Sequence, residues 1–235
     1  MNMAKSMRLR LRAIECLKIL KENQTYLELS KLTGLSITVL NRYILGKVLP
    51  SEERALEFIK LYEKKFDLKF EMRRRIGFDE EGYFDNSKIL YDTLLMKRIS
   101  ECVFERFSSK KIDKVLTSET DGIPLGCLIS SELGVPFLFA KKHREVGVRR
   151  FIEERYIPDS SGRILSFFLP RGNISKGDKI LIVDDVIRTG ETQKTLISMV
   201  RNQEAEIAGI FVIVSVGDRW MNLLKDEEIE VLVGF

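Results

Sequence analysis

Two hydrophobic periods divide the chain. Residues 1–66 read as successive short helices with no convincing strand. Apolar positions three or four apart place Leu11, Ile14, Leu17 and Leu20 on one side of a helix over about 10–21. Thr25 with Glu28 three positions on is a capping-box signature and predicts a second helix, whose apolar side is Leu29 and Leu32. In Thr33-Gly34-Leu35 the glycine can take the left-handed backbone of a sharp turn between helices. Ser36 is a good N-cap for a third helix running to about Leu45, with Leu40 and Tyr43 or Ile44 turned inward. Gly46 ends it, and Pro50 and Ser51 open a fourth over about 52–65.

From about residue 85 the pattern changes. An amphipathic helix is expected over 87–107, with Leu90, Leu94 and Leu95 apolar and Lys97, Arg98 and Arg106 in water. Strand-like runs at 115–117, 136–141, 180–183 and 207–214 then alternate with helical ones at 124–133 and 192–203. That alternation predicts an α/β domain: a mostly parallel sheet with helices on both faces. The polar, turn-rich stretch 149–171, with Asp159-Ser160-Ser161-Gly162 near its middle, has strand-like exits and reads as a β-arm over the sheet's ligand edge. The expected division is an all-α domain at 1–70 and an α/β domain at 71–235.

Composition narrows the function. A length of 235 residues suits one sizeable domain plus a small one, and 44% hydrophobic with 31% charged residues excludes a mainly disordered chain. No apolar run reaches the 18 or more residues that span a bilayer, and no signal-peptide core follows the basic N-terminus, so a cytoplasmic protein without membrane contact is expected. Cys16, Cys102 and Cys127 lie far apart, fit a reducing compartment and are expected to fill hydrophobic positions. With one histidine, neither a zinc site nor a histidine triad is expected, and no metal ligands are assigned. The net charge of +4 is uneven. Residues 1–76 hold 17 Lys/Arg against 9 Asp/Glu (+8), and residues 77–235 hold 22 against 26 (−4). The basic end is the one suited to a polyanion.

The third helix would turn Ser36, Thr38, Asn41 and Arg42 outward, with Ile37 between the two sets and Lys47 just beyond. Asn pairs bidentately with adenine and Arg with guanine, an apolar group packs on a thymine methyl, and a lysine meets phosphate. Residues 25–55 resemble the lambda-repressor/Cro type of helix-turn-helix in the Thr-Gly-Leu-Ser turn, the Asn41-Arg42-Tyr43 stretch and the Gly46-Lys47 to Pro50-Ser51 exit. The alternative is a helical dimerisation or cap domain.

The sharpest signal is Ile180-Leu181-Ile182-Val183-Asp184-Asp185-Val186-Ile187-Arg188-Thr189-Gly190-Glu191-Thr192. A buried strand runs into two carboxylates, then a glycine turn with two threonines, then a helix. Amides at a helix start cradle a phosphate, and carboxylates accept hydrogen bonds from ribose hydroxyls. The stretch resembles the 5-phosphoribosyl 1-diphosphate (PRPP) signature of type I phosphoribosyltransferases. The resemblance implies that fold, with Asp184 and Asp185 holding the ribose hydroxyls and Arg188, Thr189, Gly190, Glu191 and Thr192 wrapping the 5-phosphate. It also implies a pyrophosphate side formed by Thr120, Asp121 and Gly122, with Lys141 and Lys142 and then His143 and Arg144 beyond. Two departures stand out. Glu191 occupies a place where the family often has Gly, and Arg188 would have to offset its charge. Glu119 and Asp121 put acids where a pyrophosphate should lie, either to hold a magnesium-coordinated diphosphate or to weaken binding so that turnover is lost. Trp220, after Gly217-Asp218-Arg219, either stacks on a base or packs in the core.

Taken whole, the chain is similar to the archaeal family of transcriptional regulators related to orotate phosphoribosyltransferase, including its 145–149 and 169–172 segments. Bacterial purine repressors of the phosphoribosyltransferase type share the logic but use a winged helix, and no hairpin wing is expected near 50–75. The resemblance implies a regulator sensing PRPP or a related phosphorylated ribose. It would have no prosthetic group, Mg²⁺ carried by the ligand, a palindromic double-stranded DNA operator and a homodimer or higher homo-oligomer. The alternative is a working orotate or purine phosphoribosyltransferase using Mg-PRPP. A ligand-blind dimer module carrying the helical head is a third reading, under which the acidic pair has no reason to precede that loop.

Overall fold

The computed structural model describes residues 3–80, 84–157 and 164–235. The chain forms two compact units, Met1–Glu71 and Met72–Phe235.

The first unit is helical. Helix α1 (Met3–Glu22) begins well before the expected start and buries Ala13, Ile14, Cys16, Leu17 and Leu20. Leu11 falls at the margin of that stripe and is 49% exposed, contrary to expectation. Helix α2 (Tyr26–Thr33) opens on the capping box: Glu28 N donates to Thr25 Oγ1 at 3.2 Å, and Thr25 N donates to Glu28 Oε2 at 2.7 Å. Leu29 is buried but Leu32, expected beside it, is exposed. Gly34 takes φ 68°, the turn expected of it. Helix α3 (Ile37–Ile44) follows, with Val39 N donating to Ser36 Oγ at 3.4 Å and Leu40 buried. Helix α4 (Glu52–Lys65) is capped by Ser51 and adds Ala55, Phe58, Ile59 and Tyr62 to a core shared with α1, α2 and α3. Helix α5 (Leu68–Arg75) was not expected.

In the second unit a two-residue antiparallel pair, β1 (Gly77–Phe78) with β2 (Phe84–Asp85), precedes the helices. The single helix expected over 87–107 is two, α6 (Ser87–Leu90) and α7 (Thr93–Phe107). Asp92 makes the break by acting as an N-cap: its Oδ1 accepts from Leu95 N at 2.9 Å, and its Oδ2 from Arg75 Nη1 at 2.5 Å. Leu95 is buried, whereas Leu94 faces outward.

There follow β3 (Lys114–Ser118), α8 (Gly122–Leu133), β4 (Phe137–Ala140), β5 (Phe151–Tyr156), β6 (Leu165–Pro170), β7 (Lys179–Ile187), α9 (Glu191–Arg201), β8 (Glu206–Ser215), α10 (Arg219–Leu223) and β9 (Ile229–Gly234). Five strands form a parallel sheet in the order β4-β3-β7-β8-β9. On one face Ile180, Ile182, Ile210 and Val212 join Leu196, Ile197, Met199 and Val200 of α9 in one core. Gly209, of the other parity, lies against Phe107 of α7. Helices therefore cover both faces, as the alternating pattern predicts. Strands β5 and β6 pair antiparallel as the expected arm, joined to the end of β4 by the Lys141–Phe168 bridge. The turn at 159–162 lies outside the described residues. Among the described residues no helix is long and apolar enough to cross a membrane.

Candidate ligand site at the sheet edge

Strand β3 comes first in the sheet, yet lies between β4 and β7. The connections leave it in opposite directions, which opens a crevice beyond the carboxyl ends of β3 and β7, where open α/β sheets take ligands. Register brings the candidate residues there. Leu116 pairs with Ile182 and Ser118 with Ala140, so Ser118 and Asp184, each two residues on, stand level at that edge.

Gly122 closes the crevice from the α8 side. A Cβ there would collide with Thr117 Oγ1 and come within 2.9 Å of Asp184 Oδ1. Gly122→Ala is therefore expected to lower stability by about 1–3 kcal/mol, through overpacking against a buried strand. A denaturant melt checks this, and an unchanged midpoint would show that the loop yields freely.

Strand β7 does not stop at Val183 as expected but carries both acids to Ile187, so strand alternation turns them to opposite faces. Asp184, 4% exposed, meets α9: Gln193 Nε2 donates to its Oδ2 at 2.7 Å. Asp185, 7% exposed, meets the segment before α6: Asn86 Nδ2 donates to its Oδ2 at 2.7 Å and to Asp121 Oδ2 at 3.2 Å. The Asp185 amide also donates to Asp184 Oδ1 at 3.1 Å. Burial raises the Asp184 acid well above the ordinary carboxylate range, and the neighbouring Asp185 charge adds to it. Burial also raises Asp185; the Asn86 bond opposes this and the Asp121 charge reinforces it. Two carboxylates under this pressure favour any ligand that donates hydrogen bonds to them.

Sequence reasoning missed Asn86 and Gln193. Gln193 directly follows the motif. Asn86 carries a helix-start signal, but nothing in the sequence ties it to an acid 99 residues away.

Beside the acids the chain turns at Gly190, φ 87°, into α9. Gly190 has no side chain to cap that helix, so first-turn amides remain for an anion. Arg188, Thr189, Glu191 and Thr192 are all partly exposed around this turn. Glu191 lines a cavity of about 590 Å³ beneath the arm, together with Tyr156, Arg155, Lys194 and Arg219. Burial and the Glu191 charge raise the Tyr156 phenol. Trp220 is a packing residue: it is buried next to Gly190, and its Nε1 donates to Gly217 O at 3.1 Å.

The pyrophosphate-side residues are less unified. Thr120 and Asp121 are exposed at the edge, and the Glu119–Thr120 peptide is cis. The Glu119 carboxylate accepts from Lys142 N. The Lys141 ammonium pairs with Glu145 and lies 5.1 Å from the Phe139 ring centre. Lys142 and His143 are exposed, and Arg144 pairs with Glu153 at 2.6 Å. The structure thus joins Asp121 and Gly122 to the acidic pair, while Lys141 is engaged elsewhere. In the helical unit Ser36, Ile37, Thr38, Asn41, Arg42 and Lys47 are all exposed, and Tyr26 Oη donates to Asn41 Oδ1 at 3.0 Å. Cys16 is buried as expected, but Cys127 is exposed.

The pattern of the phosphoribosyl transferase domain matches residues 86–231. The chain belongs to that family. A probable purine biosynthesis transcriptional regulator PurR from Streptococcus pneumoniae is 32% identical over 132 residues, covering 56% of this chain and 48% of the relative. The purine biosynthesis transcriptional repressor PurR of Bacillus subtilis is 29% identical over 167 residues, 65% of this chain and 59% of the relative. A xanthine phosphoribosyltransferase from Streptococcus pyogenes is 29% identical over 142 residues, 60% and 74% respectively. The chain thus spans about half the length of the pneumococcal regulator. The adenine phosphoribosyltransferase structure from Thermoanaerobacter pseudethanolicus superposes with a TM-score of 0.65 at 18% identity, over 71% of this chain and 99% of that one. This phosphoribosyltransferase fold is the one the motif implied. These relatives are bacterial and carry purine names, whereas the motif resemblance pointed to an archaeal regulator of the orotate type.

Proposed function

We propose that the protein is a DNA-binding transcriptional regulator whose phosphoribosyltransferase-like unit senses PRPP or a related phosphorylated ribose. One observation carries the reading. The same chain holds a short helix with an exposed row of Ser36, Thr38, Asn41 and Arg42, and a sheet edge where two buried acids precede a helix-opening loop. The regulators named PurR among its relatives support this reading and favour purine biosynthesis as the controlled process. Asp184 and Asp185 would accept from the ribose hydroxyls, and the turn at 188–192 would take the 5-phosphate, with any Mg²⁺ carried by the ligand. In a homodimer, a ligand that orders the arm resets the spacing of two recognition helices. Those helices must sit about 34 Å or a multiple apart to read a palindromic operator.

Gel-shift titration of the full chain with and without PRPP tests this. Affinity should change by fivefold or more, the scale of a coupling near 1 kcal/mol. Unchanged affinity across the ligand range would end the sensing reading. Lys47→Ala should weaken binding to every DNA sequence and lower the salt slope by about one unit.

A second reading is a working purine phosphoribosyltransferase, favoured by the xanthine phosphoribosyltransferase relative and the intact acidic pair. The engaged Lys141 and the Glu119 carboxylate turned to Lys142 argue against it. Magnesium-dependent pyrophosphate release from PRPP with xanthine or orotate, at about 1 s⁻¹ or faster, would establish it.

A further inference from the structure

Asp185 is already satisfied in the free protein, and by a side chain from outside the motif. The Asn86 amide nitrogen spans two carboxylates, Asp185 at 2.7 Å and Asp121 at 3.2 Å. One nitrogen bearing two hydrogens presents what a sugar diol presents: two donors, close together, on a small polar group. Asp185 is almost wholly buried, so loss of this donor would leave a desolvated carboxylate without its one side-chain amide partner. Only a donor of comparable quality can replace it without a large penalty.

We propose that Asn86 is an internal stand-in for the ligand's hydroxyl groups, held by Asp185 and Asp121 in the free protein and displaced when a phosphorylated ribose binds. This rests on the acidic pair being the sugar site. The displacement has a defined consequence. Asn86 joins β2 to α6, and its carbonyl accepts from Ile89 N at 2.9 Å and Leu90 N at 3.0 Å. Helix α6 has only four residues, and the Asn86 side chain makes no cap bond with it. Beyond Tyr91 the chain is pinned again at Asp92 by Arg75. Releasing Asn86 therefore removes one hold on a short strap whose remaining ties are the Arg75 Nη1 bond to Lys88 O at 3.4 Å and the buried Ile89 side chain, while the sheet core stays in place. Ligand occupancy is converted into movement of the 84–91 segment.

The test is calorimetric titration of PRPP into the full chain and its Asn86→Ala variant, with far-UV circular dichroism confirming the fold of each. The competitor exists only in the free state, so its removal should tighten PRPP binding about ten- to a hundredfold, the worth of a hydrogen bond to a charged group. In the unsubstituted protein, PRPP should speed hydrogen exchange at the Ile89 and Leu90 amides. Asn86→Ser, which keeps a small polar side chain, guards against misfolding of the alanine variant and should also bind more tightly. Affinity equal within twofold, or weaker binding by both variants, would overturn the stand-in role alone, since Asn86 would then be inert or a ligand contact. Unchanged exchange at saturating PRPP would overturn it as well. No binding by any of the three proteins would remove the sugar-site reading and this proposal with it.

Discussion

Asp184→Asn is expected to weaken ribose-phosphate binding strongly and, at neutral pH, to make the α/β unit harder to unfold. Both effects have one origin. The wild-type carboxylate lies in the interior beside a second carboxylate, and both circumstances oppose its charge. Its acid is therefore raised in the folded state above its value in the unfolded chain. The folded state binds that proton more tightly, so the associated stability is fully present below the unfolded value near pH 4. It is lost as pH rises from there through the raised folded value. Asparagine carries no such charge and can still accept from Gln193 through its own carbonyl. The variant should match wild type in acid and gain as pH increases, by about 1–3 kcal/mol, or several degrees in Tm. Ligand hydroxyls lose a charged acceptor, and PRPP affinity should fall about ten- to a hundredfold. Melts between pH 4 and 8, paired with PRPP calorimetry, read both. A variant that melts below wild type at pH 7 would show that the acid is stabilising where it stands. Such opposite effects on stability and binding are what a functional site under strain produces.

The second large effect belongs to the helical unit. Replacing Asn41 and Arg42 together with alanine is expected to erase sequence discrimination while leaving salt-dependent binding to arbitrary DNA mostly intact. Both side chains are exposed on α3 and belong to neither its cap nor its buried side, so the fold should persist. A bidentate contact to a base edge discriminates by about 1–3 kcal/mol, so the pair should cost on the order of 10²–10⁴-fold in specific affinity. The Tyr26 hydroxyl holds one face of the Asn41 amide oxygen and so limits how that amide is presented. Tyr26→Phe should relax preference at one base pair only. Selection from a randomised duplex pool, with each variant beside wild type, measures this. An unchanged selected sequence would move base reading to another surface of the molecule.

Local chemistry was legible from the chain alone. Thr25, Ser36 and Ser51 cap the helices they precede, Gly34 turns left-handed, and the 180–192 stretch becomes strand, turn and helix. These signals act over three to five residues, so neighbouring side chains and amides decide them with little help from elsewhere. The parallel α/β architecture was also readable, since buried strands alternating with amphipathic helices have few other ways to cover both sheet faces. Helix margins were less so. Leu11, Leu32 and Leu94 fit an apolar stripe by spacing yet face outward, because the width of a buried stripe depends on the neighbour that covers it.

What the sequence by itself determined, then, is which short segments form and which of them carry polar chemistry to their ends. Only the tertiary structure decided that β7 runs on through both acids and sends them to opposite faces. It alone brought Gln193 to one and Asn86 to the other, and turned Glu119 and Lys141 away to Lys142 and Glu145. Such pairings join residues far apart in the chain or select one of several reachable partners. That choice is made by strand order and by the cost of burying an unpaired charge, and neither quantity exists until the sheet has closed around it.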